Sequence, residues 1–237
     1  MILRVIFTLA LSALAVVVSL AQVDQQARIS PSAAMMVPDF FSGNSARERS
    51  KFALQAGQPQ IALEEARVQI GLRPLPAESL TVLALAGLAN EDAELAELAL
   101  GAASRRGWRE PISQLASGQS ALEQGMYDIA AKRIVALLSS GNLQEPSYML
   151  LAQLLEEPSG RTAFAERLAV FGRWQDNALL PASRRVDPGN WAETLGIAQA
   201  AGASFDCNRL RLLANWYDRQ ALAEEKRKFW PGDCVAN

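Results

Sequence analysis

Small residues recur along this chain at intervals of 34 positions. One column consists of Ala62, Ala96 and Ala130. A second column of small residues keeps the same interval: Ser50, Ala84, Gly118 and Ala152. Two antiparallel helices approach closely only where their side chains are small, and a fixed period of roughly 20 to 50 residues marks stacked structural repeats. The spacing therefore predicts an array of helix hairpins.

Turn-forming and apolar residues follow the same period. Gly57, Glu91 and Gly125 each lie five positions before an alanine of the first column. A third column is apolar, as the stacking of one hairpin on the next requires: Ala66, Leu100, Ile134 and Leu168. Apolar residues also step by three and four positions, and strand-like alternation is almost absent. We therefore predict an all-α fold; the alternative is an irregular Ala- and Leu-rich bundle in which the spacing arises by chance.

The pattern resembles the tetratricopeptide repeat. Four units carry the resemblance: 43–76, 77–110, 111–144 and 145–172. The first unit has Ser50, Gly57, Ala62 and Pro74 where the family has its small residues, turn glycine and proline. The later units are looser, since the third lacks the proline and the fourth needs a one-residue shift to bring Gly160 into register. The resemblance implies a right-handed α-α superhelix over residues 46–172.

The resemblance also implies a concave groove lined by the first helix of each unit. Its predicted partner-binding residues are Arg47, Lys51, Thr81, Leu85, Leu88, Leu115, Gln119, Leu122, Met149 and Gln153. The surface is basic in the first unit, apolar in the middle and acidic in the fourth unit. Burial of leucine and methionine would supply affinity at about 25 cal/mol per Å², and the flanking charges would set direction.

We therefore expect a protein or peptide partner, with no nucleic acid. In the alternative interpretation, the chain's own N-terminal segment covers the groove leucines, with Phe40 and Phe41 as a plug.

The N-terminus is typical of an export signal. Arg4 precedes residues 5–21, which form a 17-residue run without charge. Ser19 and Ala21 give a cleavage site before Gln22, so residues 1–21 are either a cleaved signal peptide or an uncleaved membrane anchor, for which about 17 residues is the lower limit. The positive end stays in the cytoplasm in both cases. We therefore expect the body to be exported, periplasmic or anchored in the inner membrane on the periplasmic side.

Two further segments flank the repeats. Residues 22–45 contain Pro31, Pro38 and Gly43 and are expected to form a linker. Residues 173–237 hold four of the five tryptophans and are expected to form a helical cap, because the last apolar face of an array would otherwise meet water. Helices are predicted over 190–201 and 208–228. The tryptophans are expected to pack against the fourth unit rather than to bind a ligand.

Cys207 and Cys234 are the only cysteines, and an even pair in an exported chain is typical of a disulfide. A continuous helix over 208–228 would be about 31 Å long. The six residues 229–234 span at most about 20 Å. The bridge can therefore form only if that helix breaks, and we expect the break near residues 215–218.

The absence of histidine excludes several kinds of active site. With no histidine in the sequence, the chain cannot supply an imidazole base, a Ser-His-Asp triad or a zinc site that uses imidazole. The net charge of −2 argues against a nucleic-acid-binding stripe. We expect no catalysis, metal or cofactor, and an interaction role in assembly of the cell envelope. The alternative is an accessory of a hydrolase or lyase acting on envelope carbohydrate, which would need two acids converging in a cleft.

Overall fold

The computed structural model describes residues 2–170, 172, 174–230 and 232, without the side chains of residues 176 and 177. Within these residues there are helices and no strand, which confirms the all-α class. The α-helices are α1 (Ile2–Gln26), α2 (Pro31–Ala34), α3 (Ser45–Gln55), α4 (Pro59–Leu72), α5 (Ala77–Ala89), α6 (Ala93–Arg106), α7 (Pro111–Glu123), α8 (Tyr127–Ser140), α9 (Gln144–Glu156), α10 (Pro158–Leu168), α11 (Trp174–Ser183), α12 (Pro188–Ala200), α13 (Cys207–Arg219) and α14 (Ala223–Arg227). A 3-10 turn at Asp39–Phe41 lies between α2 and α3.

Four helix hairpins occupy the four predicted units. They are α3 with α4, α5 with α6, α7 with α8 and α9 with α10, and the two helices of each pair contact each other. The second helices of the first three hairpins begin at Pro59, Ala93 and Tyr127, which lie 34 residues apart. In the fourth hairpin the second helix begins at Pro158, only 31 residues later. The turn between α9 and α10 is two residues shorter than the earlier turns, and the connection from α8 to α9 is one residue shorter than the earlier connections.

The turns inside the first three hairpins share one backbone geometry. Gly57, Glu91 and Gly125 all have positive φ, at 68°, 60° and 68°. In the second hairpin the Asp92 N–H donates to the Gly87 carbonyl over 2.9 Å, the bond that closes a helix around a left-handed residue. A left-handed conformation at a residue with a Cβ costs about 1–2 kcal/mol. Since Glu91 adopts it, the packing of the hairpin imposes this turn even without glycine.

The small-residue columns lie where helices touch. All three alanines of the first column are buried: Ala62, Ala96 and Ala130. The Ser50 hydroxyl donates a buried hydrogen bond of 2.7 Å to the carbonyl of Ala62, so the two columns meet inside the first hairpin. A Cβ on Gly118 would lie 2.7 Å from the Leu150 side chain. Small side chains are therefore required at these contacts, as the spacing predicted.

The chain divides into two compact units, 1–110 and 111–237, and each has its own core. The core of the first unit is built mostly from alanine, with Ala53, Ala62, Ala66, Val82 and Ala86 in its main cluster. The second unit has one large core whose bulkiest members come from α8 to α13, including Ile134, Leu151, Phe164, Trp191 and Tyr217.

The segment 22–45, expected to be a linker, is folded onto α3. Arg49 of α3 forms an ion pair with Asp39 at 2.9 Å and donates to the carbonyls of Ala34 and Val37. Its Nε also pairs with Glu65 of α4 at 2.8 Å. A guanidinium group carries five donors, so this one side chain satisfies carbonyls that a free linker would leave to water.

Two of the four tryptophans in residues 173–237 pack against the fourth hairpin, as expected. Trp191 of α12 is fully buried, its ring lies 6.1 Å from that of Phe164 in the fourth hairpin, and its Nε1 donates to the Leu179 carbonyl. Trp174 meets Phe164 edge-on at 5.9 Å.

The predicted helix over 208–228 is broken, slightly beyond the expected position. α13 ends at Arg219 and α14 begins at Ala223, with Ala221 between them at a φ of 59°. The Leu222 N–H donates to the Tyr217 carbonyl, which repeats the turn of the first three hairpins. Cys207 begins α13, whereas Cys234 lies outside the described residues, so the disulfide stays a prediction.

Candidate functional site

In the first unit, the predicted groove residues lie on two contacting first helices, α3 and α5. Arg47 and Lys51 are on α3, and Thr81, Leu85 and Leu88 are on α5. Leu88 is 52% exposed and Leu85 is half-buried. Thr81 is only 2% exposed, so it offers no surface to a partner. The structure therefore leaves Lys51 and Leu88 well exposed and Leu85 half-buried, whereas the Arg47 side chain is only 13% exposed.

In the second unit, the first helices α7 and α9 also contact each other. Leu115, Gln119 and Leu122 lie on α7, and Met149 and Gln153 lie on α9. The two leucines are half-buried because they pack against the core of the unit. Met149 is 65% exposed, which makes it the main apolar side chain that this predicted surface presents to solvent.

The predicted internal plug does not form at Phe40. This ring is 75% exposed, and the segment that carries it is held on α3 by Arg49. Leu88, which the plug was expected to cover, is itself exposed. Leu88 is therefore left uncovered in the first unit, while Leu85 is half-buried.

A cationic pocket of about 170 Å³ opens beside Arg47 in the first unit. Its lining residues are Arg28, Asn44, Arg47, Gln69, Arg73, Pro76, Glu78 and Ser79. Of these, the sequence had placed Arg47 among the partner-binding residues. The others come from the end of α1, the start of α3, the end of α4 and the start of α5, and no local pattern connects them.

Asp24 lies behind this pocket and holds one of its lining residues, Asn44, in place. Its carboxylate is buried and accepts hydrogen bonds from the backbone N–H and the side-chain Nδ2 of Asn44, both at 2.9 Å. The side-chain oxygen of Asn44 in turn accepts a hydrogen bond from Nη1 of Arg73. A carboxylate at the start of a helix satisfies N–H groups that have no intrahelical partner and is favoured by the helix dipole. Asp24 thereby fixes both Asn44 and Arg73.

Gln69 is one of the lining residues and is 1% exposed. Its Nε2 donates to the Ser79 hydroxyl over 2.6 Å, while its Oε1 is buried and has no hydrogen-bond partner among the described residues. A buried polar atom left unpaired costs about 1–3 kcal/mol. This unpaired acceptor belongs to a side chain that lines the pocket, but the oxygen itself has almost no accessible surface.

The lining charges favour an anion. Three guanidinium groups face one carboxylate, that of Glu78. Arg47 pairs through its Nε with Glu48 at 2.9 Å. Within the described part of the chain, Arg28 and Arg73 form no ion pair. Arginine recognises phosphate and carboxylate through paired N–H donors, so this pocket is suited to such a group.

A second cleft brings two acids together. Asp128 and Glu166 line a cleft of about 420 Å³ in the second unit. A hydrogen bond from Lys132 holds the pKa of Asp128 below its usual value; burial raises it slightly, and the charges of Lys132 and Arg167 lower it further. A general acid for glycoside cleavage needs a raised pKa. The lowered pKa makes Asp128 unsuited to the role of the general acid.

Among the residues that the structure describes, no group of three or more acidic or cysteine side chains is arranged to hold a metal ion. None of the protein-family models, curated proteins or solved structures compared with this chain matches it. The fold, the exposed side chains on the first helices and the cationic pocket are therefore the observations that bear on its function.

Proposed function

We propose that this protein is an exported, membrane-anchored helical-repeat scaffold that binds a protein or peptide partner on the first helices of its hairpins. The observation that carries the proposal is the exposure of Leu88 and Met149, one on a first helix of each unit. Contiguous apolar patches bordered by polar side chains are typical of interaction surfaces, and we propose that Leu88 and Met149 belong to such patches. Lys51 on the neighbouring helix α3, and Gln153 one turn beyond Met149 on α9, would supply polar contacts at the rim.

The repeat geometry supports an array of the tetratricopeptide type. The helix starts at Pro59, Ala93 and Tyr127 and the left-handed turn residues keep the 34-residue period of that family. In such arrays the first helices form the concave side, and an extended or helical peptide lies across several of them. The departures in the fourth hairpin and the change of architecture after it would mark the end of the array.

The membrane anchor is the second part of the proposal. In the described part of the chain, α1 is the helix that is long and apolar enough to cross a bilayer. The most apolar 18-residue stretch of α1 is not buried in the protein. Its 25 residues would extend about 37 Å, more than the roughly 30 Å of hydrocarbon. Arg4 at its start would keep that end in the cytoplasm and place the repeats outside.

The structure around Ala21 favours an anchor over a cleaved signal. Ala21 lies within α1, which continues to Gln26, and Asp24 is bonded to the start of α3. Proteolytic cleavage concentrates in exposed, mobile segments rather than in fixed helices. We therefore propose that residues 1–21 stay attached and that the body is held at the membrane surface.

A matched pair of substitutions tests the binding surface. Leu88→Asp lies on the first helix of the second hairpin, and Leu98→Asp on its second helix, where Leu98 is 66% exposed. Both changes introduce the same charge at an exposed leucine, so both should leave the melting temperature nearly unchanged. The proposal predicts that Leu88→Asp abolishes recovery of the partner and that Leu98→Asp does not. Equal recovery with both variants would overturn it.

A further inference from the structure

Resting on the proposed anchor, we propose that the cationic pocket binds the phosphate group of an anionic membrane lipid where α1 leaves the bilayer. The ligand chemistry is a phosphate that carries a hydroxylated headgroup. Three separate features of the first unit carry this assignment: the height of the pocket along α1, the charge of its lining, and an apolar surface next to it.

The position of the pocket along α1 follows from the rise of an α-helix per residue. The uncharged run of α1 ends at Ala21, and Asp24 lies three residues further, or about 4.5 Å along the axis. Each headgroup layer of a bilayer is about 5–7 Å deep. Because Asp24 is hydrogen-bonded to Asn44, and Asn44 to Arg73, two lining residues of the pocket are fixed at that level.

The lining suits a lipid phosphate. Arg28 directly follows α1 and, like Arg73, has no ion-pair partner in the described part of the chain, so both guanidinium groups are available to phosphate oxygens. The Glu78 carboxylate also lines the pocket and only accepts hydrogen bonds, which a headgroup hydroxyl can donate and a phosphate oxygen cannot. A volume of about 170 Å³ accommodates a phosphate with a short headgroup, while the acyl chains stay in the bilayer.

The segment between α1 and α3 presents an apolar surface beside the pocket. Four of its large side chains are between 70% and 79% exposed: Ile29, Met35, Met36 and Phe40. In water this exposure is unfavourable, whereas side chains of this kind insert favourably into the boundary between headgroups and acyl chains. The segment directly follows α1 and is held on α3 by Arg49, so it stays close to the point where the proposed anchor leaves the membrane.

The test uses the purified full chain in a neutral maltoside detergent and native mass spectrometry. The probes are dihexanoyl phosphatidylglycerol, dihexanoyl phosphatidylcholine and inorganic phosphate. The proposal predicts that the phosphatidylglycerol binds with one-to-one stoichiometry and at least about tenfold more tightly than either other probe. Inorganic phosphate binding as tightly as the lipid would assign the pocket to a soluble anion and overturn the lipid assignment, and so would equal binding of the two lipids.

Charge-matched variants locate the site. Arg28→Gln should weaken lipid binding about tenfold, because it removes one charge-assisted hydrogen bond to the phosphate. Arg67→Gln removes the same charge from an exposed position on α4 that does not line the pocket, and it should bind like the wild type. Arg28 is exposed, so the variant is expected to fold; wild-type binding by Arg28→Gln would contradict the proposal.

The intact mass of the purified chain separates this inference from the anchor. A chain that begins at Gln22 would disprove the anchor whatever the lipid titration gives. A chain that retains α1 but binds no lipid would disprove the pocket alone, and neither result depends on the partner.

Discussion

Ser45 donates two hydrogen bonds to a single oxygen of Asp24, one from its backbone N–H at 2.8 Å and one from its hydroxyl at 2.9 Å. The two residues are 21 positions apart, and their contact joins the last turns of α1 to the first turn of α3. The body of the first unit is thus fixed to the apolar helix by a buried carboxylate and not by a flexible tether.

We expect Asp24→Ala to destabilise the first unit by about 1–3 kcal/mol, because the buried donors of Asn44 and Ser45 lose their acceptor. Asp39→Ala is the matched control. Asp39 also pairs with a residue of α3, but its side chain is 78% exposed, and an exposed ion pair contributes about 0–1 kcal/mol. Denaturant unfolding of both variants in detergent gives the comparison. Similar losses would show that burial of the Asp24 carboxylate is unimportant.

Glycine-to-alanine changes should have opposite effects at two helical positions. A Cβ on Gly160 would collide with the backbone carbonyl of Leu154, so Gly160→Ala is expected to destabilise the fourth hairpin by several kcal/mol. Gly71 has nothing within 4 Å of such a Cβ and lies in α4, so Gly71→Ala should stabilise by about 0.5–1 kcal/mol. Thermal unfolding checks the signs; a neutral effect at Gly160 would show that α9 and α10 are further apart than described.

Two substitutions at the left-handed turn residues should change stability in opposite directions. Glu91→Gly should stabilise the second hairpin by about 1 kcal/mol, since glycine adopts positive φ without the Cβ penalty. Gly125→Ala should destabilise the third hairpin by a similar amount for the same reason. Equilibrium unfolding of both variants measures the difference. Changes of the same sign would contradict a shared turn geometry.

Tyr217 should make the second unit sensitive to alkali. Burial, followed by the charges of Asp187 and Glu225, raises the pKa of Tyr217 well above its usual value of 10.0, and its hydroxyl donates to the Pro188 carbonyl over 2.7 Å. Because the folded-state pKa is raised, this stabilisation is complete below about pH 10 and is lost as the pH rises above the unfolded-state pKa toward the folded-state value. The denaturation midpoint, measured from pH 8 to 11, should fall less steeply for Tyr217→Phe than for the wild type. Parallel curves would rule out Tyr217 as a source of the pH dependence.

The repeated part of the fold was predictable because its contacts are periodic. Columns such as Ala62, Ala96 and Ala130 report helix contacts that recur at a fixed interval, and the hairpin boundaries follow from them. The break before α14 was expected only because residues 229–234 are too short to join Cys234 to Cys207 along an unbroken helix. The residues at the break gave no sign of it, since alanine, which stands at position 221, is not a turn-forming residue.

The contacts that hold residues 22–45 were not predictable, and neither was the cationic pocket. Asp24 meets Asn44, and Arg49 meets Val37, through single pairs with no repeat to reveal them. Arg28 and Arg73 look like ordinary surface charges in the sequence, and only the fold brings them to one pocket. Thr81 was assigned to the groove by its position in the repeat, yet it is buried.

Site-specific photocrosslinking in intact cells tests the central claim, that the first helices bind a partner, most directly. A photoreactive amino acid would replace Leu88, Met149 or Leu98 in turn, all of which are exposed. The account predicts one adduct of the same mass from Leu88 and Met149 and none from Leu98. Adducts of equal yield from all three positions, or from Leu98 alone, would contradict it.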